Sequence, residues 1–239
     1  MRPKLVPAVL ASVLAVSLLS IAPSTAGGEL RVVSQPQDAG IRSEDFRPFY
    51  RAQREQAWCW AACIEMVLDH AGVNVNQSAI VTQVYGTDWN GKPPNAPGSC
   101  QQLSRLLNQW GLDDDGDQFV VYSRGGRGVP VPAWLVGEVE QGHPVIVLFY
   151  PLPGQPIGHF VVITAVTYVD TPNGPGVSGL VIWDPYPYEA VGSRPPAFYQ
   201  KTRPMSGRYY VPAQALMSTT KFHFFTRAHD GDDFDWPDY

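Results

Sequence analysis

Gln53-Arg54-Glu55-Gln56-Ala57-Trp58-Cys59-Trp60-Ala61-Ala62-Cys63-Ile64-Glu65-Met66-Val67-Leu68-Asp69-His70-Ala71-Gly72 is the stretch that decides the fold. From Cys59 onward, apolar side chains fall at Trp60, Cys63, Ile64, Val67, Leu68 and Ala71, a spacing that only a helix lines up on one face. Gly72 is a natural stop, so residues 59–71 are predicted to form a helix that opens on Cys59. The N-terminus of a helix carries partial positive charge and unpaired N–H groups, which favour a thiolate over a thiol. Cys59 therefore has a local setting suited to a reactive thiol.

Three more helices follow from the same reading. Residues 76–85 lie between a capping Asn76 and Gly86, and residues 100–110 carry Leu103, Leu106, Leu107 and Trp110 on one face and stop at Gly111. Residues 132–141 start with Pro132 in the first turn and stop at Gly142. After them the pattern changes to apolar, β-branched runs at 145–150, 160–166 and 179–183, separated by Pro/Gly-rich turns, which is how buried neighbouring strands read. Residues 208–211 and 222–225 read as two further strands. Helices first and an antiparallel sheet second make an α+β domain.

Other segments carry less. Residues 124–128, Arg-Gly-Gly-Arg-Gly, read as a flexible turn without function. The acidic turn Asp113-Asp114-Asp115-Gly116-Asp117 lacks the twelve-residue pattern and closing Glu of an EF-hand, and Cys59, Cys63 and His70 do not have the spacing of a four-ligand zinc site. No metal and no cofactor is expected.

The ends of the chain speak about its destination. Basic Arg2 and Lys4, an apolar run from Leu5 to Ala22, and the small residues Ser24-Thr25-Ala26 make a signal peptide over residues 1–26. Its apolar part is short for a bilayer, contains Pro7, and no later stretch is long and apolar enough to span one. The mature chain is expected to be secreted or periplasmic, free of the membrane and monomeric. Cleavage after Ala26 leaves 213 residues, with 15 basic and 22 acidic side chains and a net charge of about −7, which argues against nucleic acid as a partner. Residues 27–50 form an N-terminal lead-in segment or a short pro-region, 51–228 the single main domain, and 229–239, with five Asp, a solvated tail.

Three cysteines in an oxidising compartment leave one thiol over. Cys59 and Cys63 stand four apart on one helix, where Cβ atoms are roughly 5 to 6 Å apart, beyond the roughly 3.5 to 4.5 Å of a disulfide. A Cys63–Cys100 bridge would instead staple two helices together; the alternative is two inert buried thiols.

The segment from Gln53 to Ala62 also resembles papain-like cysteine peptidases, above all a bacterial branch of secreted and effector enzymes whose nucleophile lies in a Trp-Cys-Trp-Ala-Ala stretch opening the central helix. The likeness covers residues 48–225 in element order and implies that Cys59 is the nucleophile. It implies a papain-like fold, with the Cys helix packed on a C-terminal antiparallel sheet, and thiol-protease activity on protein or peptide substrates. It also implies that a Gln six residues before the Cys supplies an oxyanion donor, which points to Gln53, although Gln56 is closer in sequence and competes for the role.

A thiol nucleophile needs an imidazole within reach, and five His are present. His159 follows Gly158 and opens the Phe160-Val161-Val162 strand run, a Gly-His-apolar setting that matches the family. His143 is the runner-up, His70 lies too far along the Cys59 helix, His223 alternates within an aromatic strand, and His229 lies in the acidic tail. The imidazole in turn needs an acceptor that fixes its tautomer. Asp184 ends a buried strand 25 residues after His159, where the family uses Asn or Asp, with Asp170 and Asn173 as substitutes. The expected activity is hydrolysis of peptide bonds by Cys59, His159, Asp184 and Gln53, with acyl transfer, another amidase reaction, or a catalytically silent binding module as alternatives.

Overall fold

Two strand runs near the middle of the chain, Val145-Ile146-Val147-Leu148-Phe149 and Phe160-Val161-Val162-Ile163, are apolar at every position, a pattern that suits only a sheet covered on both faces. The computed structural model of the chain, which describes residues 34–149 and 158–230, has that architecture. The expected signal peptide, residues 27–33 of the lead-in segment and residues 231–239 of the acidic tail lie outside the described residues. In chain order the elements are β1 (Gln37–Gly40), α1 (Ser43–Phe46), a 3-10 turn (Arg47–Phe49), α2 (Cys59–His70), α3 (Gln77–Tyr85), α4 (Cys100–Leu106), β2 (Gln109–Leu112) and β3 (Gln118–Arg127). Then follow α5 (Pro132–Glu140), β4 (Val145–Phe149), β5 (His159–Thr171), β6 (Gly174–Trp183), β7 (Arg208–Pro212), α6 (Ala213–Thr219) and β8 (Thr220–Asp230).

The strands form one antiparallel sheet in the order β2-β3-β8-β4-β5-β6-β7, with β1 on the far half of β5. This is the α+β, papain-like arrangement expected of the chain. Side chains alternate between two cores. Ile146, Phe160, Val162 and Phe224 meet α2, α3 and α4 on one face, while Val145, Val147, Val161, Ile163 and Phe225 meet α5 and a group of tyrosines on the other. The Cys59 helix is buried along ten of its twelve residues and packs on β5.

Three expectations fail, each where a distant partner outweighs the local pattern. The simplest is that His229 and Asp230, expected to begin the acidic tail, end β8 opposite Val120 and Phe119. The third helix ends at Leu106, and Gln109–Leu112 is the edge strand β2, paired Trp110 to Val120. Asn108 makes the switch: its side-chain amide donates to the Ser104 carbonyl at 2.7 Å and its side-chain oxygen accepts the Ser123 N–H of β3 at 2.9 Å. Trp110, read as part of the buried face, is 79 % exposed. Residues 124–127 are not a flexible turn but part of β3, laid against β8 from Arg124 opposite Phe225 to Arg127 opposite Phe222. The glycines serve close packing: a Cβ on Gly126 would stand 2.7 Å from the His223 ring.

Trp183, the last residue of β6, shares its core with α2 and is wholly buried, and its indole N–H donates to the Thr164 hydroxyl at 3.1 Å. Thr164→Val keeps the shape and removes that acceptor. Leaving the indole N–H buried and unpaired is expected to lower the unfolding free energy by about 1–3 kcal/mol, read from chemical denaturation.

Candidate active site

Cys59 is the first residue of α2, where its N–H has no acceptor within the helix. The first turn carries no acidic side chain to cancel the positive end of the helix dipole. Its flanking tryptophans are tied to one strap of chain: Trp58 Nε1–H donates to the Pro94 carbonyl at 3.0 Å, Trp60 Nε1–H to the Ala96 carbonyl at 3.1 Å, and the Ala57 N–H to the Asn95 side chain at 2.8 Å. Gly98 closes the strap against the Trp60 ring, where a Cβ would come within 2.4 Å. Cys59 is left 9 % exposed at the floor of a cavity of about 640 Å³, whose wall includes Gln56, Gly98, His159 and Tyr186.

His159 opens β5 on the opposite wall. Its ring Nε2 is bonded to Asp184 Oδ1 at 2.6 Å, which leaves Nδ1 as the nitrogen for the thiol. Asp184 is completely buried just beyond β6, where its N–H donates to the Gly207 carbonyl. A buried carboxylate needs donors, and three converge on this one: Oδ1 also accepts the Tyr186 N–H at 2.8 Å, and Oδ2 accepts the Tyr188 hydroxyl at 3.2 Å. Burial by itself pulls the His159 ring down, but the Asp184 carboxylate and the neighbouring Cys59 outweigh it and push the ring up to about 10. Burial and the same carboxylate raise the Tyr188 hydroxyl above its ordinary value, so it stays a donor.

The amide candidates are divided. The Gln53 N–H donates to the Pro185 carbonyl at 2.8 Å, which fixes its backbone beside Asp184. Its side chain is buried, and the amide donates inward to the carbonyls of Gln56 at 2.7 Å and Glu55 at 3.1 Å. Gln56 is exposed and lines the cavity. Gln53 therefore shapes the loop that presents Gln56 and Ala57 to the cleft, with its amide engaged in that loop and not on the cavity wall.

The remaining candidates lie elsewhere. Asp170 and Asn173 are exposed at the far end of the β5–β6 hairpin, where Asp170 accepts from Gln37. His143 is bonded to Glu138 at 2.9 Å, His223 to the Gly128 carbonyl at 2.9 Å, and His70 packs against the rings of Phe46 and Phe49. Asp113 folds its acidic turn by accepting the N–H groups of Asn74, Asp115 and Asp117. The expected Cys63–Cys100 disulfide is not formed, and all three cysteines are free thiols. The two face different compartments: Cys63 is sealed in the core under α2, where burial pushes its thiol up, whereas Cys100 faces the cavity. Tyr186 and Tyr188 were not among the sequence candidates; their alternation with Pro185 and Pro187 after Asp184 is the only trace they leave in the sequence.

No curated protein matches the chain. The family model described as Peptidase_C39 like family matches residues 44–204, a span that holds Cys59, His159, Asp184 and the loop carrying Gln53. With two thirds of its length under that match, the chain belongs to the Peptidase_C39 like family, a cysteine-peptidase-like family.

Proposed function

We propose that the chain is an exported cysteine peptidase of papain-like type, with Cys59 as nucleophile, His159 as its base and acid, Asp184 as the group that orients the ring, and Gln53 as an oxyanion donor. The observation that carries this reading is the buried 2.6 Å bond between His159 and Asp184 on the wall of the cavity whose floor is Cys59. With the thiol proton held on the His159 ring, the thiolate attacks the carbonyl carbon of a peptide bond. The oxyanion accepts the Cys59 N–H at the helix terminus and one amide hydrogen of Gln53, a charged acceptor displacing the neutral Glu55 carbonyl. As the C–N bond breaks, the imidazolium gives its proton to the leaving amine. His159 then draws a proton from water, which attacks the thioester and frees the acid. Export rests on the N-terminal sequence, with its basic start, apolar run and small residues before the cleavage point.

Digestion of a mixed peptide library under mild reductant tests the reading. Cleavage is expected from the wild type and is expected to vanish in Cys59→Ala and His159→Ala chains whose circular dichroism is unchanged; cleavage that survives in Cys59→Ala sinks it. Products in which the acyl group has moved to an added amine would indicate a transferase. Gln53→Ala is expected to lower kcat by about 10²–10³-fold with little change in KM.

The pH profile gives a second test. Because the folded protein raises the His159 pKa, the ring stays charged through the ordinary imidazole range and loses its proton only as the pH rises through about 10. The proton needed by the leaving amine goes with it, so kcat/KM is expected to fall on the alkaline side near that value. Asp184→Asn keeps an acceptor for the ring but removes the negative charge, so the alkaline limb is expected to move down. An unmoved limb would show that Asp184 does not set the ring.

A further inference from the structure

Gln77 is wholly buried at the start of α3, and every polar atom of its side chain is engaged with chain on either side of Gln53. Its Oε1 accepts the Arg54 N–H at 2.9 Å, and its Nε2 donates to the Ala52 carbonyl at 3.1 Å. The two peptide groups that flank Gln53 are thus held by one amide, much as a neighbouring strand would hold them. The second Nε2 hydrogen goes to Glu65 Oε2 at 2.6 Å, and Glu65 lies buried on α2, the helix that begins with Cys59. Glu65 also reaches the Arg54 guanidinium at 3.5 Å. Neither Gln77 nor Glu65 lines the cavity.

We infer that Gln77 is a positioning residue for acyl transfer: it ties the segment that carries Gln53 and Gln56 to the helix that carries Cys59, and so sets the distance between oxyanion donor and nucleophile. This rests on the proposed peptidase mechanism and adds a residue to it. The geometry explains why a glutamine is used. Only a planar group with an acceptor and two donors can meet an N–H, a carbonyl and a carboxylate at once. The N–H of Gln53 itself, on the Pro185 carbonyl, ties the segment to the Asp184 side of the cleft. Gln77 supplies the link to the Cys59 side.

The test compares two reactions of Cys59 in the full chain. Alkylation by iodoacetamide is a displacement at saturated carbon and forms no oxyanion. Acylation by p-nitrophenyl acetate passes through one: the thiolate attacks the acetyl carbon, p-nitrophenolate leaves, and water later hydrolyses the acetyl thioester. In Gln77→Met the acylation rate is expected to drop by roughly 10- to 100-fold, as misplacement of a catalytic group by about an ångström does, while alkylation stays near the wild-type rate. Gln77→Asn, which retains the amide on a shorter stem, is expected to fall between the two. Adding Gln77→Met to Gln53→Ala is expected to slow acylation little further, because the donor being positioned is already gone.

Unchanged acylation in Gln77→Met, or acylation and alkylation falling together, overturns the inference. So does failure of both Gln77 variants to fold by circular dichroism, which would make Gln77 an ordinary core residue. The underlying mechanism fails by different signs. Cys59→Ala would still release p-nitrophenolate at the wild-type rate, or Gln53→Ala would acylate like the wild type.

Discussion

A carboxylate without solvent sits at the centre of this protein, and the elements around the site are arranged so that Asp184 is not left unpaired. An isolated buried carboxylate costs several kcal/mol or more unless it is matched by donors. The donors come from three places in the chain: the ring of His159 at the mouth of β5, the N–H of Tyr186 in the turn that follows, and the hydroxyl of Tyr188 beyond it. The backbone on either side is held as well, with the Asp184 N–H on Gly207 and the Pro185 carbonyl accepting from Gln53. Moving Asp184 would therefore break contacts with β5, with the approach to β7 and with the loop before α2 at the same time.

The sheet makes this possible by separating two cores. Residues opposite in phase along β4 and β5 feed different faces, and the site forms where β5 begins and β6 ends, between the helical layer and the tyrosine layer. The pairing of β5 with β6 shifts register between Ile163 and Ala165. Trp183 then belongs to the core of the α2 face, whereas Ile182 before it belongs to the other. Asp184 follows Trp183 directly, and α2 presents Cys59 to the same region with its positive end uncancelled. Charge from the helix terminus and charge from Asp184 thus approach one ring from two sides.

The local features of the site were legible in the sequence because they depend on near neighbours. The periodicity after Cys59, the Asn76 cap and the Gly stops are set within a few residues, and the structure has the helices where those signals stand. The errors arise where a distant partner outweighs the local pattern. Residues 109–112 have an acceptable helical spacing but find β3 as a partner through Asn108, and 124–127 look like a turn until β8 lies beside them. The bridge between Cys63 and Cys100 failed for a similar reason. Both were placed correctly on helices, yet helix position does not reveal which compartment a side chain faces.

The sequence by itself determined the α+β class, the helix that opens on Cys59, and the residue types able to serve it, since periodicity, capping and acid–base chemistry are properties of short segments. Tertiary structure alone decided how those residues meet. It set the 2.6 Å bond from His159 to Asp184, the engagement of the Gln53 amide with its own loop, and the use of Gln77 to hold that loop to the Cys59 helix. Each of these joins residues brought together by sheet register and helix packing, and the free energy of closing such contacts belongs to the whole fold and leaves no mark in local spacing.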